Sequence, residues 1–147
     1  MISLRRIDES NFVDCFQLKL GDGHEQFVSS PIRSLAQAYV YREQCTPFGI
    51  YADDKMVGYV MVIYDYDEKS YNIWHMMIDR EQQQKGYGKA ALLLVMDYIR
   101  TKPFGPSDTM LLTCDPRNQA AYALYLGLGF RKTGQQDEDE VELGLAF

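Results

Sequence analysis

The segment spanning residues 80–100 contains the residue types and spacings that most clearly indicate chemistry. A glutamine-rich stretch runs into Gly86-Tyr87-Gly88, and a strongly apolar helical pattern follows at once. Glycine loses more conformational entropy on folding than any other residue, so it marks positions that need an unusual φ or have no room for a side chain. The free N–H groups and positive dipole at a helix N-terminus favour an anion. The two glycines therefore predict an anion site at the start of a helix.

The same glycines also fit a dinucleotide-binding motif. Gly86, Gly88 and Ala91 satisfy G-x-G-x-x-[GA], and Asp115 stands where a ribose-binding carboxylate would be expected. That fold needs the turn to follow the first strand of a repeated βαβ unit. Here about 80 residues precede the turn and about 30 follow Asp115, which are too few for the second half of that fold. The dinucleotide-binding interpretation is therefore disfavoured. The phosphate-binding Walker A loop, G-x-x-x-x-G-K-[ST], does not occur around Gly86.

A short strand, two helices and three further strands are predicted ahead of the turn. The first helix begins near Ser10, and the second has Ser30 as its N-cap with proline at the favoured first helical position. Residues 48–79 form three runs so continuously apolar that they indicate strands covered on both faces. The predicted inward faces of the helices are Phe12, Val13, Phe16 and Leu20 in the first, and Ile32, Leu35, Ala36, Tyr39 and Val40 in the second.

The turn leads into a third helix, followed by a strand, a fourth helix and a hairpin. Pro103 stops the third helix, Asp115-Pro116 is expected to cap the fourth, and Gly127 with Gly129 is expected to end it. The order β α α β β β α β α β β predicts an α/β fold with a mixed sheet, as a single domain over residues 1–147. The buried stripe of the third helix is Leu92, Val95, Met96 and Ile99.

Composition excludes several classes of protein. The net charge of −6 disfavours nucleic acid as a partner and favours small cations. No apolar run is long enough for a membrane span, and the first residues lack a signal-peptide pattern. Three widely spaced cysteines and two histidines predict no metal site and suit a reducing cytoplasm.

The motif Q-x-x-G-x-G at residues 83–88, with N-x-x-A-x-x-x-Y formed by Asn118, Ala121 and Tyr125, resembles the GNAT superfamily of acetyl-CoA-dependent N-acetyltransferases. The resemblance covers essentially the whole chain. It implies a mostly antiparallel, twisted sheet of about six to seven strands flanked by four helices, and acetyl-CoA as cosubstrate. Homodimers are common in the superfamily.

The resemblance also implies which residues contact the cosubstrate. The backbone of one strand would pair with the pantetheine amides, the turn would cradle the pyrophosphate, and a tyrosine would protonate the departing thiolate. These residues are Met76, Met77 and Ile78 in the strand; Gln83, Gln84, Lys85, Gly86, Tyr87, Gly88 and Lys89 in the turn; and Asn118 and Tyr125, the proposed acid, in the last helix.

Helix geometry supports the last pair independently. Seven residues turn about 700°, so Asn118 and Tyr125 differ by about 20° on one helix face and lie about 10 Å apart along the axis. One extended cosubstrate can therefore touch both. The alternative is that Tyr125 and its neighbours Tyr122 and Leu124 simply belong to the core.

Residues 47–65 and 74–92 are similar to bacterial spermine/spermidine N-acetyltransferases, which implies a polyamine as the small-molecule amine acceptor. Asp22 and Glu25, between the first two helices, are candidates for holding its distal ammonium groups. The acidic run 137–140 is instead expected at an exposed hairpin tip. His75 stands where such relatives usually carry arginine.

Direct transfer in a ternary complex requires a base for the amine, whose pKa is near 10. His75 is a candidate for that base. The alternative is that His75 is simply packed between the sheet and a helix. Cys114 is interpreted as a core residue rather than an acyl-carrying nucleophile. Two other functions stay open: acetylation of another amine, such as an aminoglycoside, a small amine or a protein N-terminus, and coenzyme A binding without catalysis.

Overall fold

The computed structural model describes residues 1–21 and 30–147. Within them the chain forms seven strands and four α-helices in the predicted order. The strands are β1 (Ile2–Arg6), β2 (Cys45–Ala52), β3 (Lys55–Asp65), β4 (Ser70–Ile78), β5 (Thr109–Cys114), β6 (Arg131–Asp137) and β7 (Glu140–Ala146), and the helices are α1 (Phe12–Gln17), α2 (Pro31–Val40), α3 (Tyr87–Arg100) and α4 (Gln119–Gly127).

The described strands form one sheet in the order β1-β2-β3-β4-β5-β7-β6. All neighbouring strands are antiparallel except β4 and β5, which run parallel because α3 crosses over between them. The prediction of a mixed, mostly antiparallel sheet flanked by helices is therefore confirmed.

Each face of the sheet has its own apolar cluster. The stripe of α3 that the sequence predicts (Leu92, Val95, Met96 and Ile99) is buried against one face, where α4 also packs. The other face is covered by α1 and α2, with Cys15 and Ala38 as their buried residues in that cluster. Because β3 lies between the two clusters, its residues from Met56 to Val62 are buried on both sides, as the continuous apolar run predicted.

Most of the predicted inward faces of the first two helices are wrong, and of the expected residues Leu20 and Leu35 pack against the apolar cluster on that face. Side chains on both helices that were expected inside are instead exposed: Phe12, Val13 and Phe16 on α1, and Ile32, Tyr39 and Val40 on α2. The buried residues of α2 include Ser34 and Ala38, whose small side chains let the helix lie close to β2 and β3. The large residues at helical spacing therefore lie on the outer side.

The cap of α4 also differs from its prediction. Asn118 is the N-cap, and the buried carboxylate of Asp115 accepts hydrogen bonds from the side chain of Arg117 instead of capping the helix. The Arg117 guanidinium lowers the pKa of Asp115. The predicted end is confirmed, because α4 stops at Gly127 and Gly129 has a φ of +104°.

Candidate active site

The sheet opens between β4 and β5. The described pairing of these strands consists of Tyr71 with Met110 and Asn72 with Leu111, after which the two strands separate. The edge of β4 that faces β5 is therefore left without a strand partner beyond Asn72 within the described residues. An extended ligand can add to such an edge as a strand would.

The second half of β4 is re-aimed by a β-bulge. Met61 pairs with His75 and Val62 pairs with Ile73, so Trp74 is an extra residue on β4. A bulge changes which face successive side chains occupy. Trp74 consequently lies on the same face as His75, their rings stacked 4.6 Å apart at 24°, while Met76 packs on the α3 side.

The start of α3 presents free backbone donors to this opening. Gly86 is the N-cap with a φ of +81°, and among the described residues no side chain caps the helix there. The first hydrogen bond of the helix runs from the Ala90 N–H to the Gly86 carbonyl. The N–H groups of Tyr87, Gly88 and Lys89 therefore have no partner inside the helix, which is the arrangement that binds phosphate oxygens.

The turn before α3 is held in an unusual conformation. Gln84 has a φ of +63°, uncommon for a residue with a side chain. The Gln83 side chain donates to the Ile78 carbonyl at 3.1 Å, and the Lys85 ammonium donates to the Gln82 side chain at 3.0 Å. These contacts fix the turn against the end of β4.

A cavity of about 490 Å³ joins the open edge of β4, the start of α3 and one face of α4. Its lining includes eleven of the twelve cosubstrate-contacting residues expected from the sequence: Met76, Met77, Ile78, Gln83, Gln84, Gly86, Tyr87, Gly88, Lys89, Asn118 and Tyr125. Lys85 is exposed and lies outside the lining. The lining residues that the sequence reasoning missed as contacts are Leu20, Gln82, Ala120, Ala121 and Leu124.

Gly88 has no structural need to be glycine. Its φ is not in the left-handed region, and a Cβ added there would meet only the Ile78 Cγ1 at 3.9 Å, an ordinary contact. A Cβ at Gly86 would meet nothing within 4 Å, although the positive φ there does favour glycine. Since alanine is the better helix former, the absence of a side chain at Gly88 is best explained by a ligand that approaches the backbone closely.

Asn118 and Tyr125 line the same cavity from α4. Among the described residues, the Asn118 side chain makes no capping hydrogen bond, so its amide is available to a ligand. Burial, followed by the nearby Cys114, raises the pKa of Tyr125 to about 12. Tyr125 is therefore protonated at neutral pH, as an ordinary tyrosine also is, and the raised pKa makes it a weaker acid than an exposed tyrosine.

Cys114 is a core residue. Its side chain is buried at the end of β5, and burial is the largest cause that raises the pKa of its thiol to about 11. The thiolate is the nucleophilic form of cysteine. Cys114 is therefore poorly suited to carry an acyl group.

A chain of hydrogen bonds fixes the tautomer of His75. The hydroxyl of Ser34 on α2 donates to the Tyr59 hydroxyl at 2.9 Å, which donates in turn to the Met61 sulfur at 3.8 Å. The Ser34 oxygen also lies 2.6 Å from His75 Nδ1. A hydroxyl has one proton, so Ser34 accepts from Nδ1–H, and Nε2 carries the lone pair.

His75 lies between the sheet and α2 and does not line the cavity. Burial is the main cause that lowers its pKa to about 4, with a smaller contribution from Arg33. This position agrees with the alternative that His75 is a histidine packed between sheet and helix. The low pKa keeps Nε2 unprotonated at neutral pH. Asp22 and Glu25, the expected acceptor contacts, lie outside the described residues.

The low pKa of His75 predicts a pH-dependent stability. Between about pH 6.5 and pH 4 the unfolded chain takes up a proton that the folded chain excludes, so the free energy of unfolding falls as pH falls. The slope approaches about 1.4 kcal/mol per pH unit for one proton. The free energy of unfolding, measured with urea at pH 7, 6 and 5, should depend less steeply on pH in His75→Gln than in the wild type. Equal slopes in wild type and His75→Gln would contradict the prediction.

Residues 1–21 and 30–147 contain no group of three or more histidine, cysteine or acidic side chains placed to hold a metal ion. No helix of this described part has the length and apolarity needed to cross a membrane.

Comparison with known proteins connects this site to a family. Residues 10–130 match the model of the "Acetyltransferase (GNAT) family". Human N-acetyltransferase 8 is 30% identical over an alignment of 88 residues that covers 57% of this chain. The match spans 37% of the human protein's length.

Two solved structures have similar folds. Spermidine N-acetyltransferase from Vibrio cholerae, in complex with CoA and spermine, superposes with a TM-score of 0.79 at 18% identity, covering 99% of this chain and 95% of that one. The ribosomal-protein-S18-alanine N-acetyltransferase from Escherichia coli superposes with a TM-score of 0.73 at 19% identity, covering 99% of this chain and 94% of that one.

Proposed function

Because the chain belongs to the acetyltransferase (GNAT) family, we propose that it transfers an acetyl group from acetyl-CoA to a primary amine of a polyamine such as spermidine or spermine. The observation that best supports acetyl-CoA as the cosubstrate is Gly88, a glycine in the first turn of α3 where the protein itself has room for a side chain. A pyrophosphate bound to the N–H groups of α3 accounts for that glycine.

The residues around the cavity fit the rest of acetyl-CoA. The unpaired edge of β4 at Met76 and Ile78 offers backbone groups to the pantetheine amides, and the Asn118 amide lies across the cavity from it. Lys89 adds positive charge at the phosphate end. Lys85 acts at most at longer range, since its ammonium is bound to Gln82.

The proposed reaction is a direct attack by the amine. The neutral amine nitrogen forms a bond to the thioester carbon, the carbon–sulfur bond breaks, and the Tyr125 hydroxyl protonates the sulfur. The amine proton leaves through water, because His75 lies on the α2 side of the sheet and does not line the cavity. A pKa near 4 also makes His75 a weak base, so the proton passes to solvent. A backbone N–H of β4 near Met77 is proposed to stabilise the oxyanion.

Charge and similarity support a polyamine as the acceptor. The chain has a net charge of −6, which attracts a multiply charged cation. The similar structure from Vibrio cholerae is a spermidine N-acetyltransferase with spermine bound. Asp22 and Glu25 remain proposed contacts of the distal ammonium groups.

A series of acceptors tests the proposal. Each partly exposed ammonium–carboxylate contact contributes about 0.5–1 kcal/mol, so kcat/KM should rise from monoamine to diamine to spermine. The rise should shrink as salt screens the contacts. The measurement is thiol release from acetyl-CoA with each amine at two salt concentrations.

The outcomes separate the alternatives. A flat series, or a preference for an aminoglycoside or a peptide N-terminus, would leave acetyl transfer standing and remove the polyamine. The protein-amine alternative is supported by the similar fold of the Escherichia coli S18-alanine enzyme. Acetyl-CoA binding with no thiol release for any amine would indicate a coenzyme A-binding module.

A further inference from the structure

A second cavity lies at the hairpin between β3 and β4. Its volume is about 460 Å³, similar to that of the cosubstrate cavity. It combines three aromatic residues with two carboxylates and an amide: Tyr64, Tyr66, Trp74, Asp65, Asp67 and Asn72. Neither the family match nor the sequence reasoning assigns this cavity a role.

The lining of this hairpin cavity suits an organic cation. Ammonium groups are attracted to aromatic faces, most strongly to Trp, and to carboxylates. Tyr64 and Tyr66 meet edge to face at 4.9 Å, and Trp74 meets Tyr41 in the same manner at 5.7 Å. Asp67 is exposed at the rim. An ammonium group here would therefore have aromatic contacts and a carboxylate close by.

The walls of the hairpin cavity are fixed before any ligand binds. Asp65 Oδ1 accepts hydrogen bonds from the backbone N–H groups of Asp67 and Glu68 at 2.9 and 3.0 Å. The Tyr66 hydroxyl donates to the Glu43 carbonyl at 3.2 Å. Little conformational entropy is then lost when a cation enters.

The hairpin cavity adjoins the place where the sheet opens. Asn72 is the last residue of β4 that pairs with β5, and Trp74 is the bulge residue. Trp74 belongs to the cluster on the α1–α2 face, whereas Met76, about 7 Å further along the strand, packs on the opposite face and lines the cosubstrate cavity. The two cavities therefore lie on either side of the bulge in β4.

We infer that the hairpin cavity binds one distal ammonium group of a polyamine acceptor, in addition to those proposed to contact Asp22 and Glu25, while the reacting amine reaches through the opening between β4 and β5. This inference rests on the proposed function. From Met76 to Asn72 the strand covers about 13 Å, so a second ammonium reaches the cavity only when several methylene groups separate it from the reacting nitrogen. Longer polyamines are accordingly favoured over short diamines.

The test compares two neighbouring charge reversals. Asp67 lines the hairpin cavity, whereas Glu68, also exposed in the same turn, does not. Asp67→Lys and Glu68→Lys change the net charge equally, so long-range attraction falls alike in both. We expect KM for spermine to rise about fivefold or more in Asp67→Lys and less than about twofold in Glu68→Lys. KM for a monoamine and for acetyl-CoA should stay unchanged in both variants.

Calorimetric titration of spermine into each protein without acetyl-CoA gives a readout independent of turnover. Loss of spermine affinity in Asp67→Lys alone supports a cation site in the hairpin cavity, whereas a wild-type protein that binds spermine there without acetylating it would overturn the proposed function and leave only that site. Equal effects of the two variants, or an equal effect of Asp67→Lys on a monoamine, would overturn the inference while leaving polyamine acetylation intact.

Discussion

Replacing Tyr125 with phenylalanine is expected to lower kcat by roughly 10²-fold or more, because the departing thiolate loses its proton donor. The substitution removes one hydroxyl and almost no volume. The ring contact with Phe130, 6.3 Å between centroids, can therefore persist. KM for acetyl-CoA should change little, since the hydroxyl acts mainly in the transition state. Steady-state thiol release at saturating acetyl-CoA and amine measures the effect.

Tyr122→Phe is the matched control for this prediction. Tyr122 lies on the same helix, is partly buried and does not line the cosubstrate cavity. Its variant should retain wild-type turnover. An unaltered kcat in Tyr125→Phe would assign sulfur protonation to water or to another group.

A leucine at position 88 is expected to weaken acetyl-CoA binding at least tenfold, equivalent to about 1.4 kcal/mol. The free protein has room for the new Cβ, and leucine is a better helix former than glycine by roughly 1 kcal/mol. The variant should therefore fold at least as stably while its side chain occupies the space of the pyrophosphate. Calorimetry with acetyl-CoA, together with urea unfolding, measures both effects.

Gly127→Leu separates the binding effect from the helix effect. Gly127 is the last residue of α4, has no neighbour within 4 Å of an added Cβ, and lies outside the cavity. This variant should bind acetyl-CoA with wild-type affinity. Unchanged affinity in a folded Gly88→Leu protein would place the pyrophosphate elsewhere.

The sequence predicted the elements whose signals are local. The stripe of α3 repeats at helical spacing, so periodicity identified its buried side. The glycines before it marked a backbone conformation that few other residues adopt, and Gly86 does have a positive φ. The separation of Asn118 and Tyr125 depended only on helix geometry, and both line one cavity.

Features that depend on packing between distant elements were missed. Large apolar residues at helical spacing on α2 predicted its inward face, but the sheet surface beneath it accepts the small residues Ser34 and Ala38. The bulge at Trp74 arises from register with β3 and has no signature within β4 itself. Regular alternation along a strand places neighbouring residues on opposite faces, so it would separate Trp74 from His75. The hairpin cavity had no signal in the sequence.

The two residue pairs between β4 and β5 make the sheet almost two separate blocks, one of four strands and one of three. A ligand strand that bonds to β4 and packs against α4 would couple those blocks mechanically. At a concentration one hundred times its dissociation constant, such a ligand stabilises the folded chain by about 2.7 kcal/mol. Proteases act on the transiently opened form of a protein. Acetyl-CoA bound at this edge would then slow proteolysis of the folded chain.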